Sequence, residues 1–160
     1  MAAPYVQQQP MATPGMMAVG GNRNAKNLPM TAEGRDWSNG LFDCCNDAST
    51  CFLAWCCPCV VYGQNKQRLE YLQSKGQPDP EAGGCCNSDC IIHAAITGCF
   101  GAGWILQMMN RGNVRGRYSV KGGGCGDCMS SCCCAPCALT QESQEIALEE
   151  QSFTGGYQKA

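Results

Sequence analysis

Residues 51–63, CFLAWCCPCVVYG, place four cysteines in one apolar run, and the whole chain has sixteen cysteines among its 160 residues. That density is typical either of a disulfide-linked secreted domain or of metal sites in a cytosolic protein. Prolines at positions 4, 10 and 14 interrupt any apolar segment near the start, and no basic residue precedes Arg23. A secretory signal peptide needs a basic start followed by an uninterrupted apolar segment, so we predict that none is present. The thiols are then expected to face a reducing cytosol, which disfavours a disulfide framework.

Composition divides the chain into a tail, one domain and a short C-terminal end. Residues 1–34 are rich in proline, glycine, glutamine and methionine and have no periodic apolar face. Because such a segment cannot bury enough surface to offset the entropy of ordering it, we predict a disordered N-terminal tail. Residues 35–150 are predicted to form one cysteine-rich domain, and residues 151–160 a flexible C-terminus. The expected fold class is small and mostly α, with short helices, irregular cysteine turns and a bound metal that helps to stabilise the small core.

Several segments carry local structural signals. Residues 64–75 have Leu69 and Leu72 on one face, which predicts an amphipathic helix, and Gly76 is well placed to end it. Residues 141–153 also favour a helix, whereas residues 114–120 are interpreted as a short strand or an extended loop. Pro58 must kink the apolar run around it or end a helix there.

Residues 90–109 form the longest apolar stretch, and they match the length of a membrane-spanning helix. Polar side chains and three glycines offset the favourable contribution of its large apolar side chains, so insertion stays undecided. The same glycines could let another helix approach closely or could break a soluble helix. Residues 51–62 are too short to span and indicate a buried or interfacial segment. We expect membrane lipid to be a partner through these two stretches.

A basic cluster follows the long apolar stretch and consists of Arg111, Arg115, Arg117 and Lys121. If the stretch spans a membrane, the positive-inside rule places this end in the cytoplasm. If the stretch lies on the surface, the same cations could contact anionic lipid headgroups, and the remaining alternative is a solvated basic loop. The net charge of −2 and the lack of a basic stripe interleaved with aromatic residues exclude a typical nucleic-acid partner.

Two cysteine turns echo each other along the chain. CCPC at 56–59 and CCAPC at 133–137 both end in Pro-Cys, about 78 residues apart, and each has a cysteine upstream and a glutamine downstream. This repetition predicts two halves of one site.

A wider set of motifs surrounds these turns. They are Trp37 with Gly40-Leu41-Phe42-Asp43-Cys44, Cys51 with Cys56-Cys57-Pro58-Cys59 and Gly63-Gln64-Asn65, Arg111 with Arg115-Gly116-Arg117-Tyr118, and Asp127-Cys128 with Cys134-Ala135-Pro136-Cys137-Ala138-Leu139-Thr140-Gln141-Glu142 and Glu145. The pattern, over about residues 36–148, resembles the cysteine-rich placenta-specific gene 8 family, which includes cornifelin and the plant cadmium-resistance and fruit-weight (cell-number regulator) proteins. The resemblance implies a plasma-membrane location and, for plant members, tolerance or transport of cadmium and zinc or control of cell number. It implies no enzyme activity.

Cysteine spacing points to a soft metal. Thiolates select zinc, cadmium or Cu(I), and structural zinc sites often use cysteine pairs two to four residues apart. The predicted metal ligands are Cys51, Cys56, Cys57, Cys59, Cys86, Cys90, Cys125, Cys128, Cys132, Cys134 and Cys137, and the expected ion is zinc, either structural or transported. Three alternatives stay open: about half of the cysteines are core residues, with Cys99 first among them; some thiols carry palmitate; and His93 is a core histidine rather than a ligand.

Two functions therefore remain as hypotheses. The first is a membrane-associated protein that binds zinc or another soft divalent metal in metal homeostasis or export, with several copies assembling as a homo-oligomer around a path. The second is a non-transporting interaction protein that regulates growth or differentiation and whose metal is purely structural. We expect no enzyme, because a nucleophilic cysteine needs a base and the only histidine lies in an apolar stretch.

Overall fold

The computed structural model describes residues 21–154, and this part of the chain is mostly helical. A short 3₁₀ helix at Asp43–Asp47 leads into α1, Ala48–Cys56, and the further helices are α2, Pro58–Lys75; α3, Ser88–Phe100; α4, Gly103–Tyr118; α5, Gly124–Cys133; and α6, Ala135–Phe153. The described residues contain two isolated β-bridges, Thr31 with Gly34 and Arg35 with Val120, and no longer strand. The predicted small, mostly α, cysteine-rich fold is confirmed.

The helix ends follow ordinary capping chemistry. The side chains of Asp47 and Asn87 accept hydrogen bonds from the N–H groups of the first turns of α1 and α3, over 3.1 and 2.8 Å. Pro58 is the first residue of α2, where its missing N–H costs nothing. Gly76 ends α2 in the left-handed region at φ 65°, which confirms the predicted cap.

Helix α6 lies at the centre of the fold and contacts α1, α2, α4 and α5. Its Ile146 packs in a first apolar cluster with Leu69 and Leu72, two residues predicted to face the core. Its Leu139 packs in a second cluster with Ala54 and Val61. The same helix also buries three glutamates, so the core around α6 is part apolar and part charged.

The long apolar stretch is two helices rather than one. Gly101 at φ 64° ends α3, and α4 begins at Gly103, so a single span over residues 90–109 is wrong. The alternative expectation, that the glycines break a helix within this stretch, is confirmed. Helix α4 then continues through Tyr118, so the strand or extended loop expected for residues 114–120 is wrong for residues 114–118, while Val120 forms a β-bridge.

Within residues 21–154, no single helix is long and apolar enough to cross a membrane. One bent pair satisfies length and composition together, the segments Asp43–Cys56 and Pro58–Lys75, which meet at 118°.

Order extends outside the predicted domain limits at both ends. The N–H of Asn22 donates to Ser152 Oγ over 2.6 Å, and Ala25 is buried. Residues 21–34 therefore pack on the domain, although the tail was expected to reach residue 34, and α6 continues to Phe153. The remainder of the predicted tail, residues 1–20, and residues 155–160 of the predicted flexible C-terminus lie outside the described residues.

Candidate functional site

Most of the thiols lie at the surface. Of fourteen free cysteines, nine are exposed, four are partly exposed and only Cys90 is buried. Cys99, expected to be the first core cysteine, is exposed, because α3 turns that face away from the rest of the fold. Core packing therefore does not account for most of these cysteines.

The two cysteine turns have the same backbone at their centres. Cys57 precedes α2 with φ −137° and ψ 69°, and Cys134 precedes α6 with φ −143° and ψ 72°. Each turn joins two helices, α1 to α2 and α5 to α6. Cys57 and Cys134 are therefore equivalent positions, and they lie 77 residues apart, as do Cys51 and Cys128. The two Pro-Cys pairs, in contrast, lie 78 residues apart. The echo is thus a repeated helix–cysteine–helix unit with one extra residue before the second proline.

In the first turn, Cys59 lies against Cys90 of α3. Burial, followed by a hydrogen bond with the Cys59 thiol, raises the pKa of Cys90 to about 11. A similar contact joins Cys44 and Cys51, where the hydrogen bond that the Cys44 thiol donates to Cys51 is the main cause that raises the pKa of Cys44. Without a metal or another cation nearby, both Cys90 and Cys44 are thiols rather than thiolates at neutral pH.

In the second turn, Cys134 and Cys137 are joined by a disulfide whose Cα atoms are 5.3 Å apart. The disulfide lies on an apolar groove of about 410 Å³ between α1 and the start of α6. The groove is lined by Cys45, Ala48, Cys51, Phe52, Trp55, Cys134, Pro136 and Cys137. The second half of the repeat therefore meets Cys51, a cysteine of the first half.

The eleven predicted ligands are thus only partly brought together. Cys59 and Cys90 are adjacent, and Cys51 shares the groove with Cys134 and Cys137, which as a disulfide have no thiolate to offer a metal. The other six are Cys56 and Cys57 at the first turn, Cys86 just before α3, and Cys125, Cys128 and Cys132 on α5. Among residues 21–154, no three histidine, cysteine or acidic side chains are close enough to hold one ion. The thiol donors fit a soft metal chemically, but their arrangement does not form a complete tetrahedral site.

His93 is a core histidine, as the alternative to ligation predicted. Its ring stacks on Tyr62 with centroids 4.6 Å apart, and its Nε2 lies 3.0 Å from Gln107 Nε2. Burial lowers the pKa of His93, so the ring is neutral at neutral pH and accepts this hydrogen bond.

The basic cluster is a set of internal ion pairs, so both the lipid-contact and the solvated-loop interpretations of its arginines are wrong. Arg111 lies 3.4 Å from Asp127 and 3.6 Å from Glu142. Arg115 bonds to Asp127 over 2.6 Å, and Arg117 bonds to Glu149 over 2.7 Å. Lys121 remains half exposed, paired with Asp36 at the surface.

Sequence reasoning missed the acidic partners of these arginines. Glu142, Glu145 and Glu149 recur at helical spacing and therefore share one face of α6. These glutamates on one helix face, together with the four basic residues earlier in the chain, are the sequence signal that could have predicted internal pairing.

Several large apolar side chains are exposed at the surface, whereas the arginines of the basic cluster are paired inside. Phe52 and Trp55 on α1 are 67% and 72% exposed, and Ile91 and Phe100 on α3 are 64% and 81% exposed. Only Cys90 and His93 are buried along the whole of α3. Trp55 is therefore a surface residue rather than a core residue.

In its described part, the molecule is a helical, cysteine-rich protein with a charged interior and an exterior of thiols and apolar side chains. The chain belongs to the PLAC8 family, whose model matches residues 37–145. The resemblance found in the sequence is confirmed.

Similar proteins include relatives from two plants. Plant cadmium resistance 1 of Arabidopsis thaliana is 33% identical over 113 residues, which cover 69% of this chain and 67% of the relative. Plant cadmium resistance 9 of the same plant is 34% identical over 125 residues, covering 78% and 76%. Cell number regulator 7 of Zea mays is 32% identical over 146 residues, covering 91% and 69%. No solved structure matches the chain.

Proposed function

We propose that this protein lies on a membrane surface facing the cytosol and captures zinc, cadmium or a similar soft divalent ion through its exposed thiols, in the service of metal homeostasis. One observation carries the proposal: exposed cysteines and exposed large apolar side chains occur on the same three helices. Helix α1 has Trp55 beside Cys56, α3 has Phe100 beside Cys99, and Met129 of α5 lies close in sequence to exposed cysteines.

The apolar part of this surface supports membrane contact. Soluble monomers rarely expose many large apolar side chains together, and such surfaces usually contact lipid or another protein. Phe52 and Trp55 have ring centroids 6.3 Å apart and form one exposed aromatic pair. Tryptophan favours the headgroup region of a bilayer, so this pair suits a protein that lies on a membrane rather than one that spans it.

The thiols support capture of a soft ion. Thiolates are the ligands that zinc, cadmium and Cu(I) prefer, and proton loss on binding makes even a high-pKa thiol available to the metal. Because no three donors lie together among the described residues, an ion bound at a pair such as Cys59 and Cys90 needs further ligands from a rearranged turn or from a second copy of the chain. Relatives named for cadmium resistance agree with this chemistry.

The metal part is tested by native mass spectrometry of the full-length, reduced protein titrated with Cd²⁺. We expect at least one bound ion, lost after alkylation of the thiols with iodoacetamide. Alkylation of the exposed cysteines leaves the buried ion pairs intact, and circular dichroism checks that helicity is kept. Equal binding before and after alkylation, or no binding by the reduced protein, contradicts the proposal.

The membrane part is tested separately by flotation with vesicles of phosphatidylcholine and phosphatidylserine. We expect the wild-type chain to float and the Ile91→Ser/Phe100→Ser variant to float several-fold less. The matched control is Gln73→Ser/Lys75→Ala, which changes two exposed polar positions on α2. Equal flotation of both variants contradicts membrane contact through α3.

A second candidate is a regulatory interaction protein of growth or differentiation. The exposed apolar side chains would then contact a protein, and the relatives named cell number regulators agree with that role. A chain that neither floats nor binds Cd²⁺ through its thiols favours this candidate.

A further inference from the structure

The disulfide between Cys134 and Cys137 is poorly explained as a structural staple. It is the one disulfide among the described residues, and only Ala135 and Pro136 separate its cysteines. A disulfide stabilises mainly by restricting the unfolded chain, and the effect shrinks as the closed loop becomes shorter. The cross-link therefore adds little to a fold that already holds both residues through α6.

The position of the pair on α6 favours thiolate chemistry. Cys134 immediately precedes the helix and Cys137 lies in its first turn, and no side chain caps this end. Free N–H groups and the positive end of the helix dipole stabilise an anion there, which lowers the cost of releasing either sulfur as a thiolate. No carboxylate lines the adjacent groove to oppose that effect.

The two sulfurs differ in access. Cys134 is partly exposed at the groove, whereas Cys137 is only 8% exposed beneath it. An incoming thiolate therefore reaches the sulfur of Cys134, and Cys137 is the leaving group.

The first turn offers a natural comparison. Cys56 and Cys59 have the same spacing with proline at the same position, yet both are free. Cys56 is the last residue of α1 and Cys134 directly follows the last residue of α5, so the C-terminal end of a helix adjoins both. The two turns differ in the second cysteine of each pair. Cys59 lies against Cys90, whereas Cys137 lies in the first turn of α6 and is bonded to Cys134.

We propose that Cys134 and Cys137 form a redox-active pair that exchanges electrons with low-molecular-weight thiols, independently of metal or membrane binding. A thiolate RS⁻ attacks Sγ of Cys134, the Cys134–Cys137 bond breaks, and Cys137 leaves as a thiolate while RS is bound to Cys134 as a mixed disulfide. A second RS⁻ attacks the sulfur of the bound RS, forms RSSR and releases Cys134 as a thiolate. Two protons complete the dithiol, so two thiols are oxidised and one disulfide is reduced.

The test uses the full-length protein in buffers of reduced and oxidised glutathione, quenched with a mass-tagged alkylating reagent and mapped by peptide. We expect Cys134 and Cys137 to convert together and reversibly while circular dichroism stays unchanged. In Cys137→Ser, glutathione should accumulate on Cys134 at least about tenfold more than it accumulates on Cys56 in the matched Cys59→Ser variant.

Two results overturn the proposal: a pair that is reduced only when the chain unfolds, or equal glutathione on the two variants. If Cys137→Ser does not fold, the wild-type conversion still decides, because reversible joint conversion in folded protein needs no variant.

Discussion

At the level of single residues, the unusual feature is the number of charges buried around α6. Glu145 is 2% exposed and pairs with Arg35, which is 1% exposed. Its carboxylate also accepts hydrogen bonds from the N–H and hydroxyl of Ser38, over 3.0 and 2.8 Å. A buried charge costs several kcal/mol to dehydrate, so each of these groups depends on its partner.

Truncation of one partner should therefore be severe. We expect Glu145→Ala to lower the free energy of unfolding by about 3–5 kcal/mol, because Arg35 is left buried without its counter-ion. Asp36→Asn is the control, since its 2.9 Å pair with Lys121 is exposed and should cost at most about 1 kcal/mol. Urea denaturation of both variants measures the difference, and similar losses in the two would contradict the importance of burial.

Glu142 gives the fold a pH dependence. Complete burial raises the pKa of its carboxyl from the ordinary 4.5 to about 7, with Arg111 and Asn110 acting in the opposite direction. Between these values the folded state binds more protons than the unfolded state, so stability falls as pH rises. The contribution is fully present below pH 4.5 and is lost as pH increases through about 7.

Glu142→Gln should remove that slope while keeping an oxygen that can accept from Asn110. We expect the stability difference between wild type and variant to change by about 3 kcal/mol between pH 4.5 and pH 8, in the direction that favours the variant at high pH. Denaturant titrations at several pH values measure it. A constant difference across this interval would show that Glu142 is ionised in the folded protein throughout.

At the level of helices, the contact between α2 and α3 depends on the lack of a side chain at Gly63. A Cβ atom there would lie 2.9 Å from both the Cβ and the backbone N of Cys90. The carbonyl of Gly63 also accepts a hydrogen bond from Asn87 Nδ2 over 2.8 Å, which holds the N-terminal cap of α3. Gly63 therefore both allows α2 and α3 to approach closely and supports the cap of α3.

Gly63→Ala should destabilise the fold by about 1–3 kcal/mol, because the methyl group must push α3 away from α2. Gly98→Ala is the matched control on α3 itself, where an added Cβ meets nothing within 4 Å. There, alanine should be neutral or stabilise by up to about 1 kcal/mol through its helix propensity. Thermal unfolding of the two variants compares them, and a similar change in both would argue against close packing at Gly63.

Local sequence signals predicted helices where the deciding groups are neighbours in the chain. Gly76 ends α2 as predicted, and the break expected at Pro58 separates α1 from α2, because a left-handed cap and a fixed φ act within a few residues. The same reasoning did not predict α5, whose sequence GCGDCMSSCC has little helix propensity. Tertiary pairing of Asp127 with Arg111 and Arg115 helps to hold that helix in place.

The candidate site was harder to predict, because its contacts join distant parts of the chain. The repeated turns predicted two halves of one site, but the sequence does not show that Cys51 approaches Cys134, because that proximity depends on α1 packing against α6. The cysteines of α5 show the opposite error. Cys125 and Cys128 have a spacing typical of metal ligands, but no third ligand among the described residues lies close enough to complete a site. Ligand spacing predicts donor chemistry, whereas assembly depends on the fold.

For the whole molecule, polarity is partly reversed relative to an ordinary soluble domain. Arginine and glutamate pairs fill much of the centre, while Phe52, Trp55 and Phe100 lie outside. Trp37 follows the ordinary pattern, because it is only partly exposed and the Arg111 guanidinium lies 4.2 Å from its ring centroid. If the protein binds a membrane, we therefore expect Trp55 to contact lipid and Trp37 to stay packed within the fold.

That difference gives a direct prediction about orientation on lipid. With phosphatidylcholine and phosphatidylserine vesicles, the Trp37→Phe/Trp104→Phe variant, which keeps Trp55, should show a blue-shifted emission and quenching by brominated lipid. The Trp55→Phe/Trp104→Phe variant, which keeps Trp37, should show neither change, because Arg111 covers that ring within the fold. Steady-state fluorescence with and without vesicles measures both. Equal shifts in the two variants would mean that lipid unfolds the domain, and a shift confined to Trp37 would mean that the opposite side of the molecule contacts the membrane.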